Sequence, residues 1–321
     1  MIHKMSHFLA LPPLDTQDIG SSRDAQARLL ALVLDGVTSA HSRRAYRTGL
    51  IAFFAWVRGR EAGASFTKAM VQEYRADLVS GGLAASTVNL RLAPIRKLAR
   101  EMADNGLLKP AVAAAIERVP GVQQLGVRTG NWLTRDQAND LLNAPDPATL
   151  AGKRDRAMLA LLLGCGLRRM ELLSLNVRNL QQREARWVIP DLLGKGKRIR
   201  MVTVPAGVKA RIDLWLCAAN ISQGRIFRPV TKAGKVVGEE IRDEKAVWRL
   251  VMRYAQLTDL GKLAPHDLRR TCAKLCRKAG GELEQVQMLL GHASILTTER
   301  YLGTEQNLAH AVNDGIGLEL G

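Results

Sequence analysis

The sequence predicts a mainly α-helical protein with a small antiparallel β-sheet, an α+β fold. Apolar residues recur every three or four positions through most of the chain, which is the spacing of an amphipathic helix. One short stretch, residues 187 to 204, instead holds two strand-like runs separated by a glycine turn, as a hairpin does. The chain has 321 residues, 47% of them hydrophobic, so it can bury a sizeable core and is long enough for two domains.

Four helices are predicted in the first part of the chain. Each starts at a serine or threonine, whose hydroxyl can cap the free N–H groups of a first helical turn. The predicted starts are Ser22, Ser39, Thr67 and Ser86; the third helix stops at Gly81 and Gly82, and the fourth passes a bend at Pro94 and stops at Asn105 and Gly106. We expect a helical bundle over residues 21–118, after a loose N-terminal arm over residues 1–20.

A second domain is predicted after a linker. Residues 119–131 contain Pro120 and several glycines and have no apolar stripe. Thr134 and Gln137 then have the spacing of a capping box, which indicates that a helix begins there. We expect this domain to span residues 132–306, with the hairpin inside it and helices from Glu244 onward. Residues 307–321 are predicted to form a short amphipathic tail helix.

The charge predicts a polyanionic partner. Lys and Arg number 47 against 30 Asp and Glu, a net charge of +17, and both predicted domains share the surplus. Basic side chains lie at the start of the second helix and are interleaved with the apolar positions of the fourth, on its outer face. An ordinary solvated helix surface explains any one of them equally well. The candidate DNA contacts are Arg43, Arg44, Arg47, Arg91, Arg96, Lys97 and, in the second domain, Lys197.

Several classes of protein are not expected. The longest apolar run, Ala157 to Leu167, is shorter than the roughly 20 residues of a membrane span and predicts a core helix. The N-terminus lacks the features of a signal peptide, so a cytoplasmic location is expected. The four cysteines lack metal-site spacing, and Cys272 and Cys276 are expected to pack in the core rather than bind zinc. We expect no metal, no disulfide, no nucleotide-binding loop and no cofactor.

Four motifs and one tyrosine follow one another in the second domain. They are Gly166 to Leu172, Gly194 to Arg200, His266 to Arg269, Leu289 to His292, and Tyr301. Each motif alone is weak, but their order and spacing over residues 132–305 are hard to attribute to chance. The set resembles the motifs of tyrosine site-specific recombinases, the phage integrase family. Residues 39–105 resemble the helical core-binding domain of that family more loosely, so the resemblance implies a core-binding domain followed by a mixed catalytic domain.

The residue types suit attack on a phosphodiester. In-line attack concentrates negative charge on the phosphate oxygens, and guanidinium groups with two parallel N–H donors stabilise it. We expect Arg168 and Arg269 to form that clamp, although the neighbouring Arg169 and Arg270 leave the register open. Tyr301 is the expected nucleophile; a lone tyrosine is ordinarily only a packed aromatic, and the surrounding motifs favour the catalytic role.

The remaining roles follow from the resemblance. It implies that Lys195, on the glycine turn, protonates the departing 5′-hydroxyl, with Lys197 as a nearby rival. His266 is expected to accept the tyrosine proton or steady the phosphate, and His292 to donate a hydrogen bond to a non-bridging oxygen. Glu171 is expected to orient the site without reacting.

The resemblance also implies partners and a reaction. Double-stranded DNA recombination sites are bound, a homotetramer acts on two paired sites, and strands exchange through a four-way junction, as in the systems of mobile elements; accessory DNA-bending proteins are further candidate partners, and the location implied is the nucleoid. Two alternatives stay open from the sequence: DNA relaxation like that of a type IB topoisomerase, and a non-catalytic DNA-binding regulator.

Overall fold

The computed structural model describes residues 23–60, 65–123, 131–194, 199–243, 245–292 and 294–302. The chain divides into two compact units, Met1–Gly126 and Val127–Gly321. The predicted N-terminal arm, the glycine turn with Lys195 and Lys197, and the predicted tail at 307–321 lie outside the described residues.

The first unit is a bundle of helices. The hydroxyls of Ser39 and Thr67 accept hydrogen bonds from backbone N–H groups three residues later, so they cap α2 and α3 as predicted. The fourth helix begins at Ala85, one residue before the predicted start, and Ala84 gives it no side-chain cap. The helices are α1 (Arg23–Asp35), α2 (Ala40–Arg58), α3 (Lys68–Ser80), α4 (Ala85–Asp104) and α5 (Pro110–Glu117).

The bundle core combines an aromatic cluster with a close helix contact. The ring of Phe53 meets the ring of Tyr74 edge to face, with centroids 5.1 Å apart. A Cβ at Gly49 of α2 would lie 2.8 Å from the Pro94 ring of α4, so glycine lets these two helices approach. Val119, which the sequence analysis assigned to the linker, is buried in this core because it packs directly after the unpredicted α5.

The second unit combines helices with a small antiparallel sheet. The predicted capping box is present, since Thr134 accepts from the Gln137 backbone and Gln137 accepts from the Thr134 backbone. The elements are α6 (Arg135–Asn143), α7 (Leu150–Gly164), α8 (Arg169–Ser174), β1 (Gln181–Arg183), β2 (Arg186–Leu193), β3 (Ile199–Val204), α9 (Ala206–Ala218), α10 (Ala246–Leu257), α11 (Pro265–Lys278), α12 (Leu283–Leu290) and α13 (Ile295–Leu302). The predicted fold class, mainly α with a small antiparallel sheet, is confirmed.

Within the described residues the sheet has the order β1-β2-β3. The predicted hairpin is β2 and β3, which pair from Trp187 opposite Val204 to Leu193 opposite Ile199. The pairing register shifts between Ile189 and Leu192, an irregularity of the kind that bends a strand. β1 adds an unpredicted, solvent-exposed edge.

Helix α7 forms the middle of the second core and contacts α6, α8, α9 and α11. Its run from Ala157 to Leu163 is buried, as predicted for a core helix. No helix of the described ranges is long and apolar enough to cross a membrane. Cys165 and Cys272 are buried, Cys276 is half-buried and Cys217 is exposed, all as free thiols.

A separate small cluster joins α11, α12 and α13. We call it the satellite cluster; it consists of Ala273, Val286, Leu290 and Leu302. It is distinct from the main core of the second unit, and it fixes the end of α13 against α11 and α12.

Candidate active site

Glu171 lies at the centre of the candidate site. It stands in the first turn of α8, which Arg168 precedes as N-cap residue. Its carboxylate oxygens accept four hydrogen bonds of 2.8 Å, two from the backbone N–H and Nη1 of Arg168 and two from Nη1 and Nη2 of Arg200. Burial acts to raise the pKa of Glu171, but the hydrogen bonds from Arg200 and Arg168 outweigh it and lower the pKa to about 2. Glu171 is therefore an ionised acceptor whose lone pairs are used.

Arg168 and Arg200 differ in exposure although they share Glu171. The Arg200 side chain is 8% exposed and the Arg168 side chain 28% exposed. Arg200 also donates from Nε to the backbone carbonyl of Leu289, at 3.0 Å. Arg168 is thus the guanidinium of this pair that can meet a ligand, and the expectation that Glu171 orients the site has a geometric basis.

Arg269 connects three of the sequence motifs. It lies in α11 and is 1% exposed. Its Nη1 and Nη2 donate to the backbone carbonyls of Gly166 and Leu290. Gly166 has φ +58, and a Cβ there would lie 3.1 Å from Leu290 Cδ2, so the chain needs glycine at this point. Arg269 was predicted as a phosphate clamp; the structure shows a buried guanidinium that also braces the motif ends.

The structure bears on the register of the two arginine pairs. Arg270 points its guanidinium to Asp267 on its own helix, at 3.4 Å. Arg168 and Arg269 lie close enough to both His266 and His292 to lower their pKa values, whereas Arg270 does so for His266. This proximity favours Arg168 and Arg269 over Arg169 and Arg270 as the site arginines.

His292 is held at the end of α12. It follows Gly291, whose left-handed backbone (φ 60) ends the helix. Its Nδ1 lies 3.0 Å from Oγ1 of the buried Thr298. Burial, together with the positive charges of Arg269 and Arg168, lowers the pKa of His292 to about 4, so the imidazole is neutral near pH 7. If the Thr298 hydroxyl donates to Nδ1, Nε2 carries the proton and is a donor.

His266 lies in the first turn of α11, where backbone N–H groups point outward. Partial burial and the charges of Arg269 and Arg270 lower its pKa, although more than a third of its surface stays accessible. A neutral, accessible imidazole is chemically able to accept a proton.

Of the expected nucleophile, Tyr301, only the backbone is described. The backbone of Tyr301 is in the last turn of α13, and the next residue, Leu302, packs in the satellite cluster. The Tyr301 side chain, Lys195 and Lys197 lie outside the described residues. Among the described residues, no group of three or more His, Cys, Asp or Glu side chains is arranged to hold a metal ion.

The candidate DNA contacts of the first unit fall into two groups. Arg43, Arg44 and Arg47 are exposed on α2, and Arg43 makes a loose ion pair of 3.6 Å with Asp35. The three on α4 are only half exposed, which corrects the expectation of an outer face: Arg96 donates to the Val119 carbonyl at 2.7 Å, Lys97 pairs with Glu101 at 2.6 Å, and Arg91 lies beside Tyr74. Their contact with DNA stays a prediction.

Sequence reasoning missed Arg200 and Thr298 as site residues. Arg200 alternates with Val202 and Val204 on the inner face of β3, so a charge on an otherwise apolar strand face was an available signal of a buried ion pair. Thr298 offered no comparable signal, because a threonine six residues after a histidine has no fixed relation to it before the turn at Gly291 is known.

Guanidinium and imidazole groups from separate segments converge beside α13, the helix that carries Tyr301. Such an arrangement suits the binding of a phosphate and the transfer of a phosphoryl group. The comparisons with known proteins specify the class. The Phage integrase family matches residues 131–307, and the Phage integrase N-terminal SAM-like domain matches residues 29–106. The chain belongs to the phage integrase family, and it is a tyrosine recombinase, an enzyme class that cleaves and rejoins DNA.

Similar proteins cover most of the chain. Tyrosine recombinase XerD of Ralstonia nicotianae is 31% identical over 299 residues, covering 91% of each chain. Tyrosine recombinase Synpcc7942_B2651 of Synechococcus elongatus is 30% identical over 312 residues, covering 91% of this chain and 94% of that protein. Among solved structures, XerH recombinase bound to difH substrate, a pre-cleavage complex, has a TM-score of 0.68 at 16% identity, covering 94% of this chain and 97% of that one. A lambda integrase dimer bound to a COC′ core site has a TM-score of 0.63 at 17% identity, covering 87% and 76%.

Proposed function

We propose that the chain is a site-specific recombinase that cleaves and rejoins DNA through a 3′-phosphotyrosyl intermediate on Tyr301. The observation that carries the proposal is the convergence of Arg168 and Arg269 on His292, with Arg168 held in place by the ionised Glu171. Glu171 offsets one of the three guanidinium charges of Arg168, Arg200 and Arg269, so a positive surplus is available to a phosphate.

The proposed reaction is two successive exchanges at one phosphorus. The Tyr301 hydroxyl attacks, its oxygen forms a bond to phosphorus, and the bond to the 5′-oxygen breaks. His266 takes the tyrosine proton, and Lys195 supplies a proton to the departing 5′-oxygen. A 5′-hydroxyl then reverses the sequence and releases Tyr301. One phosphodiester replaces another at each step, so no nucleotide and no metal is consumed.

The site residues supply charge and orientation. Arg168 is positioned to donate to the non-bridging oxygens, Arg269 adds buried positive charge, and neutral His292 donates from Nε2. Removing one such donor from a comparable site costs about 10²–10³ in rate.

The proposed partner is double-stranded DNA with recombination sites. The relatives' structures support this, since XerH and lambda integrase are bound to their DNA sites. We infer a homotetramer on two paired sites, strand exchange through a four-way junction, a cytoplasmic, nucleoid-associated location, and accessory DNA-bending proteins as further partners. Neutralising on the order of ten phosphates would make binding fall steeply with salt. A nearly flat salt response would contradict binding by both units.

The experiment begins by finding the site. The protein is incubated with fragments of the genome that encodes it, quenched with detergent, and the DNA that stays covalently attached is sequenced, with Tyr301→Phe as control. A duplex of the recovered sequence, nicked beside the cleavage point, then serves as substrate. We expect a slow-migrating adduct, and a nucleotide on the Tyr301 peptide by mass spectrometry. Attachment at another residue, or equal recovery with Tyr301→Phe, would refute the mechanism.

A second assay separates recombination from relaxation. Two copies of the recovered site are placed in one supercoiled plasmid, and the products are resolved on a gel. Exchange of the flanking segments supports the recombinase. Relaxation without exchange would identify a topoisomerase-like activity, and binding without an adduct would identify a regulator.

A further inference from the structure

Arg200 makes three hydrogen bonds within the site, and no step of the proposed reaction uses it. Its guanidinium donates Nη1 to Oε1 and Nη2 to Oε2 of Glu171, each at 2.8 Å. Its side chain is 8% exposed, so it has little surface to offer a phosphate. A buried arginine that faces a carboxylate in this two-pronged manner fixes the orientation of that carboxylate.

We propose that Arg200 is a positioning residue for the cleavage step, acting through Glu171 on Arg168. Because Arg200 takes one lone pair of each Glu171 oxygen, Glu171 contacts the Arg168 side chain at Nη1 alone. The rest of the Arg168 guanidinium is then directed away from the carboxylate. Without Arg200, both oxygens of Glu171 would be available to bind Arg168 in a fork, and the carboxylate would compete with the phosphate for the same donors.

Arg200 also connects the start of β3 to the end of α12. It lies at the start of β3, one residue after Ile199, where the described part of the strand resumes after the glycine turn. Its Nε donates to the Leu289 carbonyl at 3.0 Å. A Cβ at Gly291 would lie 2.7 Å from Arg200 Cδ, so the missing side chain of Gly291 makes room for Arg200. One side chain therefore sets the spacing of the β3 start, α8 and the end of α12.

The competing explanation is that Arg200 only stabilises the fold. The second unit offers a matched control, because Arg154 donates Nε and Nη2 to one oxygen of the buried Asp155, and its side chain is 17% exposed. Arg154→Met removes a similarly buried ion pair, and Asp155 is also bonded to Tyr254 rather than to any site residue.

The inference rests on the proposed function, and its test uses the full chain with the DNA site recovered above. Single-turnover adduct formation, DNA affinity and urea stability are measured for Arg200→Met, Arg200→Lys and Arg154→Met. We expect Arg200→Met to slow adduct formation about 100-fold, as misplacement of a donor by about 1 Å does, with DNA affinity changed less than threefold. Lysine restores the charge but not the two parallel N–H donors. The rate of adduct formation of Arg200→Lys should therefore stay within threefold of that of Arg200→Met. Arg154→Met should form the adduct at a rate within threefold of that of the unaltered chain.

A double variant tests the route of action. If Arg200 acts through Glu171, Arg200→Met in a Glu171→Gln background slows adduct formation less than threefold further. If the two effects multiply, Arg200 contacts the substrate directly and the proposal is wrong. Full rescue by Arg200→Lys, or an Arg200→Met rate equal to that of Arg154→Met, would also overturn it.

A spectroscopic measurement keeps the test independent of activity. The charge of Arg200 helps to keep the pKa of His292 low, so Arg200→Met should raise that pKa in the DNA-free protein, and Arg154→Met should leave it unchanged. Imidazole NMR titration, assigned with His292→Gln, measures both. If Arg200→Met fails to fold, the comparison of Arg200→Lys with Arg154→Met carries the test, because lysine keeps the charge of Arg200 but not its two-pronged contact with Glu171. An unaltered chain that forms no adduct refutes the proposed function, whereas an Arg200→Met chain that forms the adduct as fast as Arg154→Met refutes the inference alone.

Discussion

Glu171→Gln should destabilise the second unit by about 3 kcal/mol at pH 7. The pKa of Glu171 falls from 4.5 to about 2 on folding, and each unit corresponds to about 1.4 kcal/mol. The amide replaces one acceptor oxygen by a donor and leaves the buried Arg200 facing a neutral partner. Breaking a buried ion pair from one side typically costs about 3–5 kcal/mol, which agrees with the value from the pKa.

The pH dependence gives this prediction its sign. A carboxylate with a lowered pKa contributes its full stability above its unfolded pKa of 4.5 and loses it as the pH falls toward 2. The difference between the unaltered chain and Glu171→Gln should therefore narrow by about 2 kcal/mol between pH 5 and pH 3. Urea unfolding followed by tryptophan fluorescence measures it, because four of the five tryptophans belong to the second unit.

A surface pair provides the control for Glu171→Gln. Asp213 pairs with Lys209 on α9 and its side chain is 53% exposed, so Asp213→Asn should cost less than about 1 kcal/mol. A Glu171→Gln effect as small as that of Asp213→Asn, or one that stays constant from pH 7 to pH 3, would refute the reasoning.

Three further predictions concern the same unit. Thr298→Val removes the partner of His292 Nδ1 and should slow adduct formation about fivefold in single-turnover assays with unchanged DNA affinity, since one hydrogen bond contributes about 1 kcal/mol; an unchanged rate would contradict the orienting role. A hydrogen bond with the Cys272 thiol lowers the pKa of the half-buried Cys276 thiol. In a Cys217→Ser chain Cys276 should therefore react with iodoacetamide while the two buried thiols stay protected, as peptide mass spectrometry would show; equal labelling of all three would contradict the burial. Deleting residues 307–321 should leave single-site DNA binding intact and weaken assembly of paired sites in gel-shift assays. An unchanged recombination yield would refute the hypothesis that this predicted tail docks on a neighbouring subunit.

The sequence predicted the features that depend on local chemistry. Capping residues such as Ser39 and Thr67, the capping box at Thr134 and the apolar run of α7 each carry their signal within a few positions. The helix α5 escaped notice because its Pro-Ala-Val-Ala-Ala-Ala-Ile-Glu sequence has too few polar positions to define a stripe. Strand β1 is polar and exposed, and so it shows no alternation.

The turn between β1 and β2 explains why that hairpin was missed. Glu184 and Ala185 both adopt positive φ, 47 and 61, in a two-residue loop that normally favours Asn-Gly. Neither residue signals such a turn, and holding them there costs roughly 1–2 kcal/mol each, which the strand pairing offsets.

The candidate site shows the same difference between features with a local sequence signal and features without one. The motifs that carry Arg168, Arg269 and His292 are readable as sequence, but the bond from Arg200 to Glu171 joins residues 29 positions apart, and the one to Leu289 spans 89. Nothing local to a strand residue specifies which distant carboxylate it meets. The buried state of Arg269 depends likewise on the carbonyls of two other motifs.

The satellite cluster gives α12 and α13, the latter carrying Tyr301, a free energy of local opening separate from that of the main core. Its four side chains are small or aliphatic and separate from the main core, so α12 and α13 can open while α7 stays folded. Amide hydrogens of α13 should then exchange with solvent long before those of α7. Local opening of this kind would move the segment that carries Tyr301 while the helices packed around α7 stay folded.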